Sequence, residues 1–173
     1  MFPQTSLSTC TPLSSFTARF QFECSRSLFV PKVDYLLVAS APLESPRIDQ
    51  ILESLKRFPK VSGIRQIINY EPSWPRNKKR GNFLENPQWQ EGFARLAGHD
   101  LAYDLQLNPH QFDQAAALGA KYPEIPIIIG HLGSPILADL ENSQQYWEGM
   151  RKLANLEQAF IKLSMLSYID PAW

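Results

Sequence analysis

Three histidines, one arginine inside an apolar run and one aspartate inside the next run are the residues of this sequence with chemical reach. His131 directly follows Ile127-Ile128-Ile129-Gly130, so it emerges at a strand's end, where an imidazole can shuttle a proton or ligate a metal. Gly130 and Gly133 leave room beside it. The competing reading is a histidine satisfied by a hydrogen bond to a neighbouring loop. His99 lies in the Gly98-His99-Asp100 turn ahead of a strand, the stability face of a βα fold, and is expected to be structural. His110 follows Pro109 at the opening of a helix, where a capping or surface role is expected. Arg65 interrupts an apolar strand, where an unpaired guanidinium is costly. It either pairs with a carboxylate, Asp104 being the internal partner, or clamps an anionic group of a substrate. Gln106 shares parity with Asp104 and lies nearer its strand's end, so it faces the same side and reaches the rim, where an amide can recognise a hydroxyl.

Other chemistries find no support. The sequence has no Gly-x-Gly-x-x-Gly, no Walker loop, no Gly-x-Ser-x-Gly elbow and no His-x-Glu-x-x-His. Its two cysteines, Cys10 and Cys24, lie in the first 30 residues, which leaves the rest without a disulfide framework or a thiolate cage. The basic run Arg76, Lys78, Lys79 and Arg80, beside Trp74 and Pro75, reads as a solvated loop near the site, with anion steering as the lesser reading.

The elements that must position these side chains show as alternating periods. Apolar runs at Val33 to Ala39, Ser62 to Ile68, Leu101 to Leu107, Ile125 to Ile129 and Ala159 to Met165 begin 24 to 39 residues apart. Between them, Arg47 to Phe58 places Ile48, Ile51, Leu52 and Leu55 on one helical stripe after Pro46. Pro87 to Leu96, Gln111 to Tyr122 and Ser143 to Leu156 carry similar stripes. Strands separated by helices are parallel βα units, because parallel neighbours need a crossover. The fold class is therefore α/β, either an open doubly wound sheet or a barrel, and in both the site lies beyond the carboxyl ends of the strands.

Composition sets the remaining bounds. The 173 residues hold 17 basic and 17 acidic side chains, so an electrostatic grip on nucleic acid or an anionic membrane is not expected. No apolar run approaches the roughly 18 residues that span a bilayer. A soluble, cytoplasmic protein with a small-molecule substrate is the expectation. Residues 1–30 are rich in Ser and Thr with Glu23 as the only acid. They read as a leader without fixed structure, and an organellar transit segment is the alternative.

In order along the chain, Ala41-Pro42-Leu43-Glu44-Ser45-Pro46, Val61-Ser62-Gly63-Ile64-Arg65-Gln66, Tyr103-Asp104-Leu105-Gln106, His131-Leu132-Gly133-Ser134-Pro135 and Ile161-Lys162-Leu163-Ser164 form a pattern. It resembles the amidohydrolase-related family of metal-dependent TIM-barrel hydrolases, which includes sugar-acid lactonases, over about residues 33 to 170. The resemblance implies a (β/α)8 barrel and hydrolysis of a lactone or a related C–O or C–N bond. It implies an active-site role for His131 and substrate contact for Arg65, with Gln106 on the rim between them, and a divalent metal such as zinc in the complete family. The family's His-x-His on a first strand has no counterpart, since no histidine precedes His99. The family's last-strand aspartate has none either, and Asp170 is expected in a loop. Three protein ligands are usual at a catalytic zinc, so this chain is expected to hold no metal tightly through His131 alone. The spacing predicts a partial barrel at residues 31–173, with about five βα units of a fold that typically takes about 250 residues, lacking the first two strands and the last. Open edges make self-association an expectation. The alternative function is an inactive relative that serves as a binding or association module.

Overall fold

The computed structural model describes residues 35–172. The Ser/Thr-rich segment at residues 1–30 lies outside them. Five parallel strands form one sheet: β1 (Leu37–Ser40), β2 (Val61–Ile67), β3 (Ala102–Gln106), β4 (Ile127–Ile129) and β5 (Ala159–Ile161). Their spatial order is their chain order, without the reversal that marks a doubly wound sheet. This is the wall of a (β/α) barrel, and among the described residues the sheet does not close.

Helices α1 (Ile48–Lys56), α2 (Pro75–Arg80), α3 (Pro87–Ala94), α4 (Phe112–Lys121), α5 (Leu137–Asn142), α6 (Gln144–Ala154) and α7 (Leu166–Ile169) connect or follow the strands. The stripe expected on α1 forms, with Ile48, Leu52 and Leu55 buried. Asn86 caps α3, its side chain accepting from the amides of Gln88 and Trp89, and Pro87 presets the first helical turn. One face of the sheet, Ala39, Ile64, Tyr103 and Ile127 in register, is buried under this layer. Trp89 and Phe93 of α3 meet the Tyr103 ring edge-on at 5.7 and 5.2 Å between centroids. The other face carries Ser40, Arg65, Asp104, Ile128 and Phe160 in register, and among the described residues no helix covers it: Phe160 is 59% exposed and Ile67 is 47% exposed. This second face is the concave one, which in a barrel points to the axis.

Two local expectations are corrected. The basic run is a helix, α2, bounded by Pro75 at its start and Gly81 (φ 69°) at its end. Only Asn77 of that helix is buried, so no apolar stripe announced it. The fifth apolar run pairs only as far as Ile161, and Leu163 beyond it is 75% exposed. The apolar run predicts a strand as far as Met165, but among the described residues no neighbouring strand pairs with it beyond Ile161.

Gln66 points to the covered face and ties it together. Its Oε1 accepts from the Trp89 indole (2.9 Å) and the Leu43 amide (3.1 Å), and its Nε2 donates to Glu44 (2.7 Å). Its backbone carbonyl accepts from the Tyr103 hydroxyl at 2.9 Å. Burial pushes the Tyr103 hydroxyl far above the ordinary tyrosine range, and burial followed by the charge of Asp139 raises that of Tyr146. A raised value in the folded state means stability that is whole below about pH 10 and falls as pH rises toward the folded value. Thermal melts from about pH 8 to about pH 11 are expected to show a falling midpoint at the alkaline end. In Tyr103→Phe that fall should be shallower, with a loss of about 1 kcal/mol at neutral pH from the missing hydrogen bond. Equal alkaline slopes for the two proteins would remove Tyr103 from the account.

Candidate active site

The concave face gathers its charge around Asp104, which is wholly buried in the middle of β3. Register places Arg65 of β2 directly beside it. Arg65 Nη2 donates to Asp104 Oδ2 at 2.8 Å, so the pairing alternative for Arg65 is the one that forms. A second cation shares the same oxygen: Lys162, just past β5, donates to Asp104 Oδ2 at 2.5 Å. Two positive groups on one carboxylate leave one positive charge in surplus on a face whose other strand residues are neutral. Both cations remain reachable from the concave side, with side chains 26% and 39% exposed. Arg65 Nε and Asp104 Oδ1 are buried without a hydrogen-bond partner. Buried polar atoms are normally satisfied, so these two mark the place where a ligand or water belongs.

His131 stands beside this cluster in space. Its neighbour Gly130 passes so close to Asp104 that a Cβ there would sit 3.5 Å from Oδ1. His131 Nδ1 lies 2.9 Å from the Ser164 hydroxyl. Its backbone is left-handed (φ 54°), as are Leu132 (φ 55°), Gly133 (φ 77°) and Ser134 (φ 55°). Such a run is costly for residues with a Cβ and persists only where the surroundings fix it. Those surroundings are explicit. The Leu132 amide donates to the Lys162 carbonyl (3.2 Å), the Tyr146 hydroxyl donates to the Leu132 carbonyl (2.9 Å), and Gly133 packs against the Phe112 ring so tightly that a Cβ would lie 2.4 Å from Cζ.

Gln106 lies two residues beyond Asp104 on the same strand face, opposite Ile67, and is partly buried. Hydrogen bonds stitch the rim beyond it. Asn69 donates to Asn108 Oδ1 at 2.6 Å, and buried Gln111 accepts from the amides of Tyr70 (2.9 Å) and Asn108 (3.0 Å). His110 is exposed, and His99 faces Glu53 at 3.6 Å away from this end of the sheet, in keeping with their expected roles. Lys162 and Ser164 were not singled out by residue type. Their signal was positional, one lysine and one serine alternating inside the last apolar run. A hollow lined by Ala120, Pro123, Asn155, Leu156, Glu157 and Gln158 lies at the opposite ends of β4 and β5, away from all these groups.

A metal does not fit this arrangement. No three His, Cys, Asp or Glu side chains converge among the described residues. Asp104, which lies close to Gly130, already has one oxygen bound to two cations, which would repel a divalent ion. No helix among the described residues is long and apolar enough to cross a membrane.

Parallel strands in chain order, helices on one face and polar groups at the carboxyl ends define a barrel-type α/β protein. The sequence model of the amidohydrolase family (Amidohydro_2) matches residues 35–173, and the chain belongs to that family. It is 28% identical over 142 residues to the uncharacterized protein y4mH of Sinorhizobium fredii, covering 79% of this chain and 46% of that one. It is also 28% identical over 142 residues to the L-fucono-1,5-lactonase of Burkholderia ambifaria, covering 82% of this chain and 45% of that enzyme. The chain thus spans about half the length of the curated relatives it matches. Crystal structures of a Burkholderia multivorans amidohydrolase share the fold. The form with bound HEPES has a TM-score of 0.64 at 23% identity, and the form with bound zinc 0.65 at 24%; each match covers 78% of this chain and 46% or 45% of that protein.

Proposed function

We propose that this chain carries the substrate pocket of a hydrolase acting on a lactone, or a related cyclic ester or amide, of a small sugar acid or carboxylic acid. The observation that carries this reading is the juxtaposition of His131 with the surplus positive charge of Arg65 and Lys162 at the carboxyl end of the sheet. Similarity to a lactonase supports the substrate class. Hydrolysis needs a base for the attacking water and positive groups for the oxyanion that forms on the carbonyl. His131 takes the water's proton and returns it to the ring heteroatom as the ring opens. Arg65, tethered by Asp104 and with donors to spare, holds a substrate carboxylate or the developing oxyanion beside Lys162. Gln106 receives a hydroxyl at the rim.

The test is turnover of a panel of sugar and carboxylic-acid lactones by the purified protein, with His131→Ala alongside. His131→Ala is expected to lower kcat/KM about a hundredfold, the low side of what acid–base catalysis contributes. Unchanged activity would remove His131 from the chemistry. The concave face, uncovered among the described residues, and the exposed Phe160, Ile161 and Leu163 near β5 favour a second reading, an association module in which two copies cover these surfaces. Assaying monomer and oligomer fractions separately distinguishes the two: activity confined to the oligomer means that association completes the site, and an inactive oligomer supports the module.

A further inference from the structure

We infer that Ser164 is a positioning residue that accepts the Nδ1 proton of His131 and thereby keeps Nε2 as the proton-accepting nitrogen. This inference rests on the reading of His131 as a base. A neutral imidazole has one N–H and one lone pair, and the partner of one nitrogen decides the state of the other. Ser164 Oγ is 2.9 Å from Nδ1, which fits either direction of hydrogen bond. The surroundings fix the backbone that carries the ring. His131 sits in a left-handed turn held in place, because Phe112 fills the space beside Gly133, Tyr146 holds the Leu132 carbonyl and the Lys162 carbonyl holds the Leu132 amide. Ser164 reaches the ring from the same segment that carries Lys162, whose amide donates to the Ile129 carbonyl at 2.8 Å. The two sides of the contact are therefore fixed to each other by backbone. For Nε2 to take a proton from water, Nδ1 must be the protonated nitrogen, and Ser164 is then its acceptor.

Tautomers are read directly from the 15N shifts of His131 in labelled protein without substrate, with the resonance assigned through His131→Gln. At a pH where the ring is neutral, the wild type is expected to show a protonated Nδ1 and an unprotonated Nε2. Ser164→Ala should shift the population toward protonated Nε2, and Ser164→Thr, which keeps the hydroxyl, should restore the wild-type pattern. A protonated Nε2 in the wild type, or a pattern unmoved in a folded Ser164→Ala, overturns the inference. If Ser164→Ala does not fold, the wild-type spectrum still decides. Lactone turnover is a separate readout. Protein that turns over nothing yet shows protonated Nδ1 loses the hydrolase reading and keeps this one, whereas active protein with protonated Nε2 does the reverse.

Discussion

Asp104→Ala is expected to cost about 3 kcal/mol of folding stability, the lower end of the range for breaking a buried ion pair. The side chain is wholly buried and carries a negative charge that bridges Arg65 and Lys162. Removing it leaves two cations facing each other across a small cavity, which is worse than losing an attractive contact. Their exposures of 26% and 39% let water screen part of that repulsion, which holds the estimate below the upper end. Replacing all three groups together, Asp104→Leu with Arg65→Met and Lys162→Met, removes the charges along with their desolvation and is expected to recover most of the loss. Urea unfolding followed by circular dichroism measures both, and a shift in midpoint at constant slope reports stability alone. A change within about 0.5 kcal/mol for Asp104→Ala, the size of an ordinary surface substitution, would show that the cluster is not holding the sheet. The triple variant adds a functional control, because a chain that is stable and inactive separates the electrostatic role of the cluster from its structural one.

The strand and helix sequence of this fold is legible because each strand is a short apolar run and most of the covering helices carry an apolar stripe. α2 and α5 lack one: Asn77 is the only buried residue of α2, and α5 has none. Helix-bounding signals were nevertheless present for α2, with Pro75 at one end and Gly81 at the other. The site divides in the same way. His131 stands out by its position after three isoleucines and a glycine, and Arg65 and Asp104 by being charged inside apolar runs. That they pair depends on register, which brings residues 39 apart in the chain to 2.8 Å. Lys162 and Ser164 depend on register twice over, since each meets a partner from another strand or strand end across 58 and 33 residues. Residue type left Arg65 open between a partner for Asp104 and a substrate clamp, and the geometry makes it one of two cations sharing that carboxylate.

Gly92→Ala is the second substitution expected to have a large effect, and it acts from the outside of the sheet. A Cβ at Gly92 would lie 1.9 Å from the Leu43 carbonyl oxygen and 2.7 Å from its carbonyl carbon. The obstacle is backbone, so no rotamer change relieves it, and α3 must move away from the loop after β1. That movement pulls on the Gln66 knot, because Trp89 of α3 and the Leu43 amide both donate to Gln66 Oε1. Overpacking usually costs about 1–3 kcal/mol, and a clash with immobile backbone beside a buried hydrogen-bonded indole belongs at the top of that range. The indole should also report the change through a shift in tryptophan emission as its partner is lost. Gly98→Ala provides the contrast. A Cβ there meets nothing within 4 Å, and the expected effect is within about 0.5 kcal/mol. Equal stability for the two variants, measured by the same urea titration, would mean that α3 does not need its close approach to Leu43. The loop carrying Glu44 would then not be set by this packing, and the position of the β1 side of the rim would need another cause.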